Sequence, residues 1–166
     1  MDLQPNPAGH MPFETLSTGQ SNALLALARS LQQTLPAEGG RPPLQGKHLA
    51  LLCADDDGDE ARLFRSAAEA LGAHVAHVRW QADEVPSEAE LAHAARLFGR
   101  LYDAVECQGM PAGLVRQLAA GSGLPVYRNL AGPEHPTARL SELLDPTRPS
   151  MERRRLALQA ALLSSL

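Results

Sequence analysis

"HLALLCADDDGDEARLFRSAAEALGAHVAHVRW", residues 48–80, holds two apolar runs separated by a helical pattern. "HLALLC" (48–53) and "AHVAHVRW" (73–80) read as strands, and "DEARLFRSAAEAL" (59–71) between them carries apolar residues at helical spacing. Strand, helix and strand in about thirty residues make a βαβ unit, whose two strands run parallel. The rhythm continues downstream. "SEAELAHAARLFGRL" (87–101) reads as a helix, "DAVEC" (103–107) as a strand and "PAGLVRQLAAGS" (111–122) as a helix. "PVYRN" (125–129) is a short strand and "HPTARLSELL" (135–144) a further helix. The expected fold is therefore α/β: a three-layer α/β/α domain with a four-stranded parallel sheet covered on both faces.

Upstream, apolar residues recur at helical spacing from Gln20 to Leu35, and "PAEGGRPP" stops that helix. The first twelve residues, "MDLQPNPAGHMP", have three prolines and no apolar periodicity, and they read as a disordered leader. The expected organisation is a leader over 1–12, a domain over 13–145, a breaker-rich linker over 146–150 and a C-terminal helix over 151–166. That helix, "MERRRLALQAALLSSL", is basic at its start and apolar over most of its remainder, so it needs a covering surface on the domain or on another subunit.

At 166 residues and 44% hydrophobic content the chain can bury a core of its own. A net charge of -4, with 15 scattered Lys and Arg, argues against nucleic acid, which requires clustered cations. No apolar run approaches the roughly 20 residues that span a bilayer, and the N-terminus lacks a signal-peptide pattern, so a cytoplasmic location without a membrane partner is expected. Cys53 and Cys107 each end an apolar run without metal-ligand spacing and read as buried free thiols.

"LQGKHLALL", "LFRSAAEALGAHV", "ELAHAARLFGRLYDAVECQG", "LPVYRNL" and "EHPTARLSELLD" together resemble the carbamoyl-phosphate-binding domain of the ornithine and aspartate carbamoyltransferases, the ornithine branch more closely. The resemblance runs from about the first helix to Leu144. It implies a domain that binds carbamoyl phosphate at the start of the helix after the first strand, with no cofactor. There the family has a Ser-Thr-Arg-Thr-Arg motif, whose amides, hydroxyls and guanidinium groups wrap the phosphate at the positive end of the helix dipole.

Alignment through Ala67, Ala68, Leu71, Gly72 and His74 places Asp57, Gly58, Asp59, Glu60 and Ala61 on that motif. Both arginines are gone, and the first has become Asp59. A carboxylate about 4 Å from a phosphate costs roughly 4 kcal/mol per pair of unit charges at an effective dielectric of 20. Arg62 lies one residue past the second arginine, about 100° around the helix. The family's arginine after the third strand falls on Gln108. Its His-Pro-X-Gln motif, in which His polarises the carbamoyl carbonyl and Gln holds the amide, appears as His135, Pro136, Thr137 and Ala138. The loop after the second strand, which in the family reaches toward a neighbouring subunit's site, is here the short acidic "QADEVPSE". The resemblance therefore implies a degenerate site with His135 retained, and no catalytic residue or metal is expected.

Other readings of the same residues remain open. Asp57 with Glu60 three residues later is a capping-box pattern, and acids in a first helical turn complement the dipole as a built-in substitute for phosphate. His135 before Pro136 can cap the last helix of the domain. Oxygen ligands in the acid run suit a divalent cation, and Asp57, Asp59, Glu60, Gln108 and His135 together suit a cationic or neutral ligand. Family members are about twice this length, with a second domain for the amino-acid substrate and a final helix that returns to the first domain, which the tail resembles. They are trimers built largely through this domain. The resemblance thus implies a homotrimer, or a mixed oligomer with a full-length carbamoyltransferase.

Overall fold

Along β1 (His48–Cys53) the side chains alternate between two interiors: Leu49, Leu51 and Cys53 join one buried cluster, and Ala50 and Leu52 the other. A strand buried on both faces must lie inside a sheet with helices above and below. The structure, a computed structural model, describes residues 9–33 and 40–166. β1 pairs in parallel with β2 (His74–Arg79) on one side and with β3 (Ala104–Cys107) on the other, and β3 pairs in parallel with β4 (Val126–Arg128). The order is β2-β1-β3-β4, with Leu51 facing His77 on one side and Glu106 on the other.

Among the described residues six helices flank this sheet: α1 (Thr18–Gln33), α2 (Asp59–Ala70), α3 (Glu88–Leu101), α4 (Ala112–Ser122), α5 (Pro136–Ser141) and α6 (Ser150–Ser165). Side chains of α1, α2, α5 and α6 fill the interior on the Leu49 face, and those of α3 and α4 fill the one on the Ala50 face. The chain steps outward from β1 to β2 through α2, then back across β1 to β3 through α3. Reversing direction while keeping crossovers right-handed requires the two helices to lie on opposite faces. The reversal leaves a crevice between the C-terminal ends of β1 and β3, where ligands of open α/β sheets bind.

The elements expected from sequence are present with small shifts at their ends, and the three-layer parallel architecture is observed. Leu35, expected at the end of the first helix, lies outside the described residues, as does the leader before Gly9. From Gly9 onward the expected leader is ordered. His10 bridges Pro125, the Val126 amide donates to the His10 carbonyl at 2.9 Å, and Met11 packs against the α3/α4 interior. Gly9 adopts φ +74°, and a Cβ there would stand 2.0 Å from the Ala119 carbonyl oxygen, so only glycine passes α4 this closely. β2 departs from the expectation of full cover: as the edge strand it keeps His74, Ala76, His77 and Arg79 exposed, because α3 packs against α4.

α6 has no exposed face along its middle. Leu156 through Leu162 are seven consecutive buried residues, nearly two full turns, so neighbours must surround the helix. They are α1, α2 and α5. Gln159 Nε2 donates to the Ala67 carbonyl at 3.3 Å, and the Ser165 hydroxyl lies 2.6 Å from that of Tyr127, itself fully buried. Leu162→Ala should therefore lower unfolding free energy by about 2–5 kcal/mol, whereas Leu101→Ala on the exposed side of α3 should stay within about 0.5 kcal/mol; urea denaturation of both variants checks this.

Candidate functional site

The turn from β1 into α2 carries the acids. Asp55 Oδ1 accepts from the Asp57 amide at 2.9 Å, closing a local turn. Asp56 takes Arg65 Nη2 at 3.1 Å and lies 3.6 Å from His77 Nδ1. Gly58 is the N-cap of α2, with no side chain bonded to the free amides. The capping box expected of Asp57 and Glu60 does not form, because the helix begins one residue later than that pattern requires. The box is found instead on α3, where Ser87 Oγ accepts from the Glu90 amide at 3.2 Å and Glu90 accepts from the Ser87 amide at 2.8 Å. Asp59 and Glu60 still lie in the first turn of α2, where their charge complements the dipole. Asp59 binds Arg62 at 2.9 Å on the outside of the helix, and Glu60 is half-buried without a bonded partner.

Across the crevice, β3 and β4 end together. The Gln108 amide donates to the Leu52 carbonyl at 2.8 Å, and the Asn129 amide to the Cys107 carbonyl at 2.9 Å. Gln108 Nε2 leans on Glu106 Oε1 at 3.4 Å. Glu106 is fully buried, and its other oxygen has no hydrogen-bond partner. Burial pushes its carboxyl up to about 8, while the amides of Leu130 and Ala131 and the Gln108 side chain pull the other way and Glu60 adds a small upward push. At neutral pH this acid is largely protonated.

α5 begins at His135, its N-cap, followed by Pro136 at the first helical position. Nδ1 accepts from the Thr137 amide at 3.2 Å and lies 2.8 Å from the Thr137 hydroxyl, which fixes the neutral tautomer with its proton on Nε2. That nitrogen is buried without a partner. Burial pushes the imidazole down to about 4; Glu14 works against this, and Arg128 and Arg154 reinforce it. Arg128 is held by Glu14 at 2.7 Å, and Arg154 Nη2 donates to the carbonyls of Ala131 at 2.6 Å and Gly132 at 3.1 Å.

Residues 11–146 match the carbamoyl-P binding domain of the aspartate/ornithine carbamoyltransferases. The chain belongs to that family. The ornithine carbamoyltransferase of Actinobacillus pleuropneumoniae (serotype 5b) is 32% identical over 121 residues, covering 73% of this chain and 36% of that enzyme. The one from Cutibacterium acnes is 30% identical over 128 residues, 77% of this chain and 38% of that enzyme. This chain thus spans little more than a third of the curated relatives it matches. Two solved structures share the fold: ornithine carbamoyltransferase from Burkholderia thailandensis, with a TM-score of 0.66 at 17% identity over 81% of this chain and 47% of that one, and the catalytic subunit of M. jannaschii aspartate transcarbamoylase, with 0.61 at 23% over 80% and 44%.

Against this carbamoyltransferase frame, the eight positions singled out in the sequence fall in two groups at the C-terminal end of the sheet. Asp57, Gly58, Asp59 and Glu60 open α2; Gln108, His135, Pro136 and Thr137 lie at the ends of β3 and the start of α5. Electrostatics join them: the Glu60 charge acts on Glu106 and Arg154, and that of Arg154 on His135. A cavity of about 630 Å³ beside the end of α1 and one of about 510 Å³ between α2 and α6 are each lined by none of the eight. Asp55, Asp56 and Asp57 hold carboxylate oxygens within 4.8 Å of one another, but Arg65 already neutralises Asp56, which leaves a poor cation cage.

Glu106, Glu14, Arg128 and Arg154 were not found by motif. For Glu106 the signal was available: an acid inside "AVEC", in a parallel strand covered on both faces, has nowhere to go but the interior. An acid whose pKa is higher in the folded state stabilises the fold below its ordinary value of 4.5 and loses that contribution as pH rises toward 8. Relative to Glu106→Gln, the wild type should therefore lose stability across that interval, at up to about 1.4 kcal/mol per pH unit. Urea midpoints measured at stepped pH test this, and parallel curves for the two proteins would refute it.

Proposed function

We propose that this chain is a degenerate carbamoyltransferase-like protein that does not bind carbamoyl phosphate and acts as a structural or regulatory subunit in the cytoplasm. One observation supports the reading: Asp59, which the sequence alignment puts on the family's first phosphate-binding arginine, pairs with Arg62 at 2.9 Å on the outside of the helix. Arg65, Arg128 and Arg154 are likewise engaged, by Asp56, by Glu14 and by backbone carbonyls. A phosphate at the start of α2 would meet the carboxylates of Asp59 and Glu60, with Arg62 and Arg65 already paired to acids. His135 can donate one hydrogen bond from Nε2, as polarising a carbonyl requires, but a lone neutral donor does not offset the lost cations.

The expected assembly is a homotrimer through this domain, with a mixed oligomer containing a full-length carbamoyltransferase as the variant that would give a regulatory role. No described helix is long and apolar enough to cross a membrane. A second reading, binding of a cationic or neutral ligand, draws on the unpartnered Glu60 and on the unsatisfied oxygen of Glu106. Under it, a thermal-shift series should find an amine that raises the melting temperature with the logarithm of its concentration.

Calorimetric titration of the purified protein with carbamoyl phosphate, with inorganic phosphate as control, decides the first reading. The expected result is no heat at millimolar ligand at either of two temperatures. Micromolar affinity would overturn it and direct the search to a surviving transferase activity.

A further inference from the structure

At the end of the sheet away from the crevice, β1 and β2 each begin with a histidine. His48 and His74 are register partners in the parallel ladder, and their side chains leave the same face, the one that carries Ala50 and Leu52. Their ring centroids lie 5.2 Å apart with the planes 21° from parallel, and both residues are exposed. The length of β1, about 16 Å, separates the pair from the crevice.

The backbone beneath both rings is fixed. The His48 amide donates to Asp103 Oδ2 at 2.8 Å, the Asp103 amide to the His48 carbonyl at 2.7 Å, and the His74 amide to the Lys47 carbonyl at 2.8 Å. The rings themselves make no hydrogen bond or ion pair among the described residues. Lys47, the neighbouring cation, is offset by Asp103 at 3.5 Å. Two imidazoles on rigid strands thus each offer an unprotonated nitrogen that no described side chain takes up. Imidazole is the commonest protein ligand of metals and suits late first-row divalent ions. With metal–nitrogen bonds of about 2.0–2.1 Å at a near-tetrahedral angle, two imidazole centroids fall about 5 Å apart, the separation already present here. Exposed rings turn about χ2 at little cost, which brings one nitrogen of each to the ion.

We propose that His48 and His74 form a surface site for a late first-row divalent ion, one nitrogen from each ring and water in the remaining positions. The ion ties β2, the exposed edge strand, to β1. The site differs in kind from the Asp55–Asp57 group, whose oxygens suit hard cations and whose middle acid is already paired with Arg65. It is independent of the crevice and of any assembly.

Cu2+ in a non-coordinating buffer is the probe, because it binds nitrogen ligands most tightly of the series and reports them by electron paramagnetic resonance. Titration of the whole chain should show one equivalent bound, with two imidazole nitrogens coupled to the copper. His48→Ala and His74→Ala should each weaken binding by about tenfold or more, since the second ring binds intramolecularly. Zn2+ should raise the melting temperature of the wild type with the logarithm of its concentration and leave both variants unmoved. Both substituted side chains are exposed, so the metal-free melting temperatures of the variants should match the wild type, and His93→Ala, on the exposed side of α3, should bind copper as the wild type does. Copper held equally well by the wild type and both variants would overturn the site, as would a wild-type spectrum with a single coupled nitrogen or with oxygen ligands alone.

Discussion

A four-stranded parallel sheet must be covered on both faces, and one helix makes that possible on the Leu49 side. α6 is buried around its circumference through Leu156–Leu162, apolar there except for Gln159, and fills the space that α1, α2 and α5 would otherwise leave open. Its position sets theirs. Gln159 ties it to α2, Ser165 to the Tyr127 hydroxyl of β4, and Arg154 to the carbonyls that precede α5. The helix after the linker therefore belongs to the same interior as the sheet, and the segment that holds His135 is held in turn by α6.

That dependence shapes the chemistry at the strand ends. Arg154 feels the Glu60 charge and acts, after Arg128, on His135, yet its guanidinium is occupied by the backbone of the β4–α5 connection. Arg128 is similarly occupied by Glu14, from the segment that enters α1. Each of these guanidinium groups serves a structural contact within the chain. A crevice at a topological switch point is still present in the backbone. Two carboxylates, Asp59 and Glu60, lie in the first turn of α2 beside that crevice, where their charge complements the helix dipole.

The architecture was legible in the sequence because hydrophobic period and breaker residues carry it directly: "HLALLC" could only be an inner strand, and "DEARLFRSAAEAL" only an amphipathic helix. The exposed edge of β2 was not legible, since "AHVAHVRW" reads the same whether or not a helix covers it. The site was legible in part. His135 before Pro136 announced a helix start, and the structure has it capping α5. Asp57 and Glu60 announced a capping box that Gly58 pre-empts, because the pattern alone does not fix where the first helical residue falls. The Glu14–Arg128 pair joins residues 114 apart in sequence, a distance over which spacing carries no information.

Glu106 draws these threads together. A carboxyl taken fully out of water is costly unless it is bonded or protonated, and this one is incompletely satisfied by the Gln108 side chain and the amides of Leu130 and Ala131. Protonation resolves most of the cost, which is why its pKa rises instead of the strand breaking. An arginine at position 108 would have changed that balance, placing a cation where Gln108 now offers a neutral amide and drawing the Glu106 proton off. Gln108 and a protonated Glu106 are thus a matched pair: the neutral amide tolerates the neutral acid, and neither supplies charge to the crevice above them. Placing a cation at position 108 would therefore have to contend with the ionisation of the strand beneath it.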